Sequence, residues 1–189
     1  MKVLALSFAL CAGVANAATW QLDNEQSSLH FVSVKNELVA ETHAFQALNG
    51  SWDEKSVSVS IPVSSMQTNI PIRNDRIWQY VLQADQFANI QIKAPLTSES
   101  IASLTAGNSL VQDLPLTATI AGQSAVVTAK VRITMLNGST LQAVTEAPLM
   151  LDTNQFKLGA GIAKLQELAG LKRIDPMVPV TFNVRFSKQ

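Results

Sequence analysis

The two histidines of this sequence, His30 and His43, are the side chains best suited to acid–base chemistry or metal binding near neutral pH. The run Glu41-Thr42-His43 would place a carboxylate and an imidazole on one face of a strand, because alternate strand residues share a face. A zinc site needs at least a third protein ligand, and no compact cluster of histidine, aspartate or glutamate supplies one. The sequence therefore predicts no metal site and no bound cofactor.

Catalytic motifs are equally sparse. No Gly-x-Ser-x-Gly run is present, so the nucleophile turn of an α/β-hydrolase is missing. Gly159-Ala160-Gly161 comes closest to a phosphate-binding loop, but it lacks the lysine that a P-loop requires. We expect these glycines to begin a helix instead, and we expect a protein that is not an enzyme.

The amino-terminal segment 1–17 has the pattern of an export signal. Lys2 supplies a positive charge, residues 3–14 are almost entirely apolar, and Ala15-Asn16-Ala17 matches the small-x-small motif of a signal-peptidase site. Cleavage would fall between Ala17 and Ala18, and it predicts a periplasmic protein. The alternatives are a buried helix and lipid attachment at Cys11, although Leu10 stands where lipoproteins carry a small residue.

Removal of the signal would leave 172 residues, the size of one ordinary domain spanning 18–189. That chain would hold 13 basic and 14 acidic residues and no cysteine, which excludes disulfides and thiol catalysis. A formal charge of −1 does not fit the clustered basic surface of a nucleic-acid-binding protein. No apolar run after residue 17 is long enough to span a bilayer, so we expect no transmembrane segment.

Most of the chain alternates between apolar and polar residues, which is the period of half-buried β-strands. In residues 56–63 the valines and Ile61 share one face, opposite serines and Pro62. Proline cannot donate a hydrogen bond to a ladder, so we expect an edge or a bulge at Pro62. Further strands are predicted at residues 29–34, on both sides of the Ala121-Gly122-Gln123 turn within 117–135, and at residues 180–187.

Two segments depart from this period. Within residues 74–87 the apolar side chains recur at helical spacing, with Asn74 as the expected cap and Asp75 in the first turn. Within residues 161–171 a second helical stripe is predicted to end at or shortly after Gly170. We expect two short helices inserted between strands of a single domain.

Short strands with few helices predict a mainly all-β fold, an antiparallel barrel or a sandwich. A barrel of about eight strands encloses either packed side chains or one small ligand. Because its interior residues would be apolar by alternation, such a ligand would be an apolar molecule such as an isoprenoid or acyl chain. Alternation alone does not separate the open barrel from the filled one.

Several short motifs follow one another in a recognisable order. In chain order they are Trp20-Gln21-Leu22-Asp23, Ser28-Leu29-His30-Phe31, Leu48-Asn49-Gly50-Ser51-Trp52, Met66-Gln67-Thr68-Asn69, Arg73-Asn74-Asp75-Arg76, Ala84-Asp85-Gln86-Phe87 and the hairpin within 116–131. This order resembles the YceI-like family of bacterial periplasmic polyisoprenoid-binding proteins over nearly all of residues 19–187. Lys35 stands where the family commonly has a histidine, and Asn89 where it usually has a proline, which indicates a divergent member.

The resemblance implies a lipocalin-like antiparallel barrel with a helix beside its mouth. Its pore would hold the tail of a polyisoprenoid or another amphiphilic lipid without altering it chemically. The residues expected to line the pore are Phe31, Phe45, Val57, Val59, Ile61, Leu82, Phe182 and Phe186, with Trp78 and Phe87 at its mouth.

Three charged residues on the first predicted helix have two alternative roles. Arg73, Asp75 and Arg76 would either meet a polar head group or tie the helix to the barrel. A carboxylate in the first turn is favourable to the helix dipole, so Asp75 favours the second role.

Three functions are compatible with this sequence. The leading one is a periplasmic carrier or storage protein for an isoprenoid or related lipid. The second is a structural or partner-binding barrel whose core is filled by its own side chains. The third is a metal- or haem-associated periplasmic protein, which metal content or an absorbance spectrum would identify. The sequence leaves open whether the chain forms a dimer.

Overall fold

The computed structural model describes residues 19–189. The predicted signal peptide and its cleavage site between Ala17 and Ala18 lie outside the described residues. The strands of the described part are β1 Trp20–Leu22, β2 Ser28–Lys35, β3 Val39–Phe45, β4 Asn49–Trp52, β5 Ser56–Pro62, β6 Met66–Gln67, β7 Asn89–Pro95, β8 Ser109–Ile120, β9 Gln123–Asn137, β10 Thr140–Thr145, β11 Leu149–Asp152 and β12 Met177–Lys188. Its helices are α1 Pro71–Arg76, the π-helical turn Ile77–Val81 and α2 Gly159–Ala169, with short 3₁₀ turns at Val63–Ser65, Glu99–Ile101 and Thr153–Phe156.

These strands close into an antiparallel barrel whose wall has eight strand positions. We call each position a stave; a stave is either a single strand or two consecutive strands that form one bent strand. Strand β1 continues into β2, β3 into β4, β5 into β6 and β10 into β11, and the two parts of each bent strand pair with the same neighbouring stave. Each stave pairs with the next one in the chain, and β12 returns to pair with β1 and β2. The predicted mainly-β barrel of about eight strands with two short helices is confirmed.

The strands face inward and outward as their sequence alternation predicts. In β9 the side chains of Val127, Ala129, Val131 and Ile133 are buried, whereas the polar residues between them are exposed. A β-branched or small apolar residue at every second position fits a half-buried pleated surface. The same alternation on the other staves leaves an apolar interior.

The two ends of the barrel differ in what covers them. One end, which we call the helical end, carries the β2–β3 hairpin, α1, the π-helical turn, α2 and the loop 170–176. The opposite end, which we call the tryptophan end, is packed by Trp20 and Trp52, whose ring centroids lie 5.2 Å apart. The indole of Trp52 donates a 2.7 Å hydrogen bond to the carbonyl of Leu96 in the β7–β8 connection.

The first helix begins four residues earlier than predicted. Pro71 occupies its first turn, where a missing N–H costs nothing, so the predicted cap at Asn74 is wrong. Asn74 is instead buried inside the helix, and its side-chain oxygen accepts hydrogen bonds from the backbone and hydroxyl of Thr68. Asp75 consequently lies beyond the first turn, and its predicted place beside the helix N-terminus is also wrong.

Two further predictions concern a proline and a glycine. The irregularity predicted at Pro62 is present on one side of its strand: β5 pairs with β7 in an unbroken register, but between the pairs Ser60–Asn49 and Met66–Phe45 five residues, Pro62 among them, face three of the neighbouring stave, which is a bulge. Pro62 is tolerated because it is the last residue of its strand. The second helix begins two residues before its predicted start. It ends at Gly170 as expected, where the backbone has the left-handed φ of 62° that favours glycine.

Candidate functional site

An apolar cavity of about 310 Å³ occupies the interior of the barrel. Among the described residues 19–189, forty line the cavity, and four of them are polar, namely Ser33, Gln142, Thr153 and Asp175. Ligand sites of proteins commonly measure ~300–1,000 Å³ and are lined mainly by apolar side chains with a few polar groups. The cavity therefore has the size and the lining of a site for one slender hydrophobic ligand.

The cavity runs along most of the barrel. On β12 alone it is lined by every second residue from Val178 to Phe186. Eight residues at ~3.3 Å each cover ~26 Å of strand, which corresponds to ~20 Å along the axis of a barrel whose strands tilt by ~40°. The space is thus a tunnel between the helical end and the tryptophan end.

Eight of the ten predicted lining residues border this cavity. They are Phe31, Phe45, Val57, Val59, Ile61, Leu82, Phe182 and Phe186. Phe31 and Phe45 also contact each other, with ring centroids 5.6 Å apart. The strand positions among them follow directly from period-two alternation.

Trp78 and Phe87, which were predicted at the mouth, do not border the cavity. Phe87 packs over the turn between β8 and β9, where a β-carbon on Gly122 would lie 2.6 Å from its ring. Trp78 follows Ile77 directly, so its side chain leaves the helix in another direction. Ile77 and Val81 border the cavity instead, one helical turn apart.

The second helix also lines the cavity, which the sequence prediction missed. At the helical end, the cavity is lined by Leu158, which precedes α2, and by Ile162 and Leu165 of the helix itself. The spacing of these residues places them on one helix face, so the helical stripe in the sequence was the available signal. What the stripe did not show is that this face covers the barrel opening.

The three charged residues of the first helix make different contacts. The guanidinium of Arg73 forms a 2.9 Å ion pair with Glu41 of β3, and it also donates to the carbonyl of Thr68. Arg76 donates a 3.3 Å hydrogen bond to the carbonyl of Leu168 in α2, whereas Asp75 is exposed. The contacts of both arginines favour the anchoring role over a head-group role.

A serine–histidine pair lies in the wall at the helical end. His43 is 4% exposed, and its Nε2 lies 2.8 Å from the hydroxyl of Ser33, a cavity-lining residue. Its other ring nitrogen, Nδ1, is buried and has no hydrogen-bond partner. The sequence pattern marked His43 as a candidate for acid–base chemistry or metal binding and gave no signal for Ser33. His30, by contrast, is exposed.

Burial lowers the pKa of His43, and the nearby positive charges of Arg73 and Lys35 lower it further, against an opposing effect of Glu41. The pKa of Glu41 is itself lowered, mainly by its hydrogen bond with Lys35. Both effects keep the imidazole neutral and the carboxylate charged near neutral pH. The interior therefore contains a neutral polar pair next to a small ion-pair cluster.

A pH-dependent loss of stability is expected from His43. The unfolded chain binds a proton at the ordinary histidine pKa of ~6.5, whereas the folded chain resists it, so stability falls as the pH drops below ~6.5. We expect the free energy of unfolding of the wild type to fall more between about pH 7.5 and about pH 5 than that of His43→Gln. Urea unfolding at both pH values measures this. Equal slopes for the two proteins would show that His43 titrates normally in the fold.

Metal centres and membrane-spanning helices would be typical of other classes of protein. Across residues 19–189, no group of three or more histidine, cysteine, aspartate or glutamate side chains is placed to hold a metal ion. The helices within the same range are not long and apolar enough to cross a membrane.

Comparison with known proteins gives both a sequence and a structural match. A family model of the YceI-like domain matches residues 20–186. A polyisoprenoid-binding domain from Saccharophagus degradans, implicated in plant cell wall breakdown, is 27% identical with a TM-score of 0.86, over 90% of this chain and 98% of that one. BcnA of Burkholderia cenocepacia shares the fold at 17% identity, with a TM-score of 0.63 over 87% of this chain and 98% of its own. No curated protein gives a significant match.

Proposed function

The chain belongs to the YceI-like family, and on this premise we propose that it binds the tail of a polyisoprenoid or similar amphiphilic lipid inside its barrel without altering it chemically. The observation that carries the proposal is the continuous apolar cavity. The similar domain from Saccharophagus degradans, which is a polyisoprenoid-binding domain, supports the same ligand class.

The length of the cavity sets the size of the tail. A fully extended chain advances ~1.2 Å per atom, so ~20 Å accommodates about 16 chain atoms, or about four isoprene units. A volume of about 310 Å³ spread over ~20 Å leaves room for one extended chain and not for a folded one.

The energetics favour such a ligand. Burying ~16 methylene equivalents at ~0.8 kcal/mol each yields ~13 kcal/mol before the costs of association and ordering are subtracted. The polar residues of the cavity are too few to hold a hydrophilic molecule of the same length. The apolar cavity also supports this function over the structural alternative, whose core would be filled by its own side chains.

We further propose that residues 1–17 direct export to the periplasm and that residues 18–189 form the lipid-binding domain. The amino-terminal pattern Ala15-Asn16-Ala17 supports this location. Amino-terminal sequencing of the exported protein should begin at Ala18. The Ala17→Arg variant should accumulate in its unprocessed form. Processing of the wild type at another residue would refute the proposed cleavage site.

Native mass spectrometry of protein purified from the periplasmic fraction tests the binding function. We expect a complex heavier than the protein by one lipid, and organic extraction should release an isoprenoid or related amphiphile. The same spectrum shows whether the chain is a monomer or a dimer. Protein that carries no ligand and ignores added isoprenoids would overturn the proposal and favour the partner-binding barrel.

A further inference from the structure

The few polar side chains of the cavity are unevenly distributed along it. Ser33 near the end of β2, Thr153 after β11 and Asp175 before β12 all lie at the helical end. The backbone N–H of Asp175 donates to the carbonyl of Val34, which brings the loop 170–176 next to Ser33. An amphiphile in this cavity would therefore place its head at the helical end and its tail toward the tryptophan end.

Among these polar groups, the Ser33 hydroxyl is the one best placed to bind a ligand. The hydroxyl of Thr153 already donates to the carbonyl of Pro176, and the carboxylate of Asp175 accepts from the backbone of Met177. The amide of Gln142, far from the helical end, donates to the side chain of Asn183. Ser33 instead contacts His43, whose other nitrogen has no partner.

The Ser33–His43 pair can act as a donor or as an acceptor. If the serine O–H donates a hydrogen bond to the unprotonated Nε2, the serine oxygen keeps lone pairs that can accept from a ligand hydroxyl. If Nε2 carries the proton and donates to serine, the serine O–H is free to donate to a ligand carbonyl. A neutral imidazole permits both tautomers, so the pair suits alcohol and carbonyl heads alike.

The charges around this end are balanced. Lys35 and Arg73 share the single carboxylate of Glu41, at 2.7 and 2.9 Å. Both terminal nitrogens of Arg73 are engaged, one with Glu41 and the other with the Thr68 carbonyl. Within residues 19–189, Asp175 is the only charged residue that lines the cavity, and its carboxylate repels anions. A phosphate would have to lose its hydration and compete with Glu41 for Lys35 and Arg73.

We propose that the Ser33–His43 pair is the head-group site of this cavity, and that it selects neutral amphiphiles bearing a hydroxyl or carbonyl over those bearing a phosphate. This inference rests on the proposed lipid-binding function and adds to it the chemical class of the head.

The test uses three ligands with one tail: geranylgeraniol, geranylgeranyl phosphate and the corresponding hydrocarbon, each competed against the others in native mass spectrometry. We expect the alcohol to bind at least ~10-fold more tightly than the phosphate and ~5-fold more tightly than the hydrocarbon. In Ser33→Ala the advantage of the alcohol over the hydrocarbon should disappear, while Ser33→Thr, which keeps the hydroxyl, should retain it.

Two controls separate recognition from folding. Ser58→Ala removes a hydroxyl on the outer face of β5 and should leave all three affinities unchanged. The ¹⁵N resonances of the His43 ring should shift when the alcohol binds to the wild type and stay in place when the hydrocarbon binds.

The outcomes distinguish two kinds of failure. If none of the three ligands binds, the proposed lipid-binding function is refuted and the head-group site with it. If all three bind equally, or the phosphate binds most tightly, the barrel is a lipid-binding protein and the head-group assignment to Ser33 and His43 is wrong.

Discussion

Replacing Ala118 by tryptophan should abolish lipid binding while leaving the barrel folded. Ala118 is 1% exposed and lines the cavity, level with Ile92 and Val59 on the neighbouring staves. An indole at this point would block the tunnel partway along its length. A ligand that loses about half of its ~13 kcal/mol of buried apolar contact should bind at least ~100-fold more weakly, since each tenfold change corresponds to ~1.4 kcal/mol.

Displacement of a fluorescent lipid probe from the purified protein measures this effect. Thr117→Trp is the matched control, because Thr117 neighbours Ala118 but points outward. Overpacking costs ~1–3 kcal/mol of stability, so thermal unfolding should accompany each titration. Ala118→Leu, a smaller obstruction, gives an intermediate affinity if the mechanism is correct. Unchanged binding in Ala118→Trp would show that the tail does not pass this level of the barrel.

A single methyl group on Gly161 should displace the second helix. A β-carbon there would overlap the carbonyl oxygen of Tyr80 and lie 2.8 Å from the α-carbon of Val81, both in the π-helical turn. Backbone atoms cannot move aside as the end of a side chain can. We therefore expect Gly161→Ala to lower the free energy of unfolding by ~1–3 kcal/mol. Lipid affinity should fall as well, because α2 carries Ile162 and Leu165 into the cavity.

Gly159→Ala is the control within the same helix. A β-carbon at Gly159 would meet no atom within 4 Å, so alanine should leave binding unchanged and stabilise the helix by up to ~1 kcal/mol through backbone entropy. Urea unfolding of the three proteins gives the comparison. Equal stability of the two variants would contradict the close approach of α2 to the π-helical turn.

The strands were predictable from the sequence because a strand has only two faces. Val180 and Phe182 belong to one strand, and alternate residues of a strand point to the same face. The inward-facing residues of that strand therefore follow from the alternation, whichever strands it pairs with. Cavity-lining positions such as Val59 and Phe186 followed from this rule alone.

The helical residues were harder to predict, because a helix turns by about 100° per residue. Its sequence alone does not determine which side of the helix faces the barrel. Trp78 is large and aromatic, yet Ile77 and Val81 of the same π-helical turn are the residues aimed at the cavity. The start of the helix at Pro71 was in fact signalled, since proline favours the first turn.

The Ser33–His43 pair could not be found without the register of the β2–β3 hairpin. In this register Phe31 lies opposite His43, and Ser33 lies opposite Glu41, so Ser33 and His43 are diagonal neighbours on the inner face. The register is set by a tight turn in which Asn36 and Glu37 adopt positive φ angles of 51° and 65°. Glutamate is rare in that conformation, so the turn was not evident from the residue types.

The pairing of β12 with β1 and β2 has a consequence for how the molecule is made. Every other contact between staves joins neighbours in the chain and can form as the polypeptide lengthens. The seam between the first stave and β12, to which Gln189 adds a 2.9 Å backbone hydrogen bond to Thr19, cannot close before β12 is available. Until then the growing sheet has two unpaired edges, which are prone to aggregate and attract chaperones. A ligand enclosed by the barrel would therefore enter only after β12 has paired, and it would not assist the early folding steps.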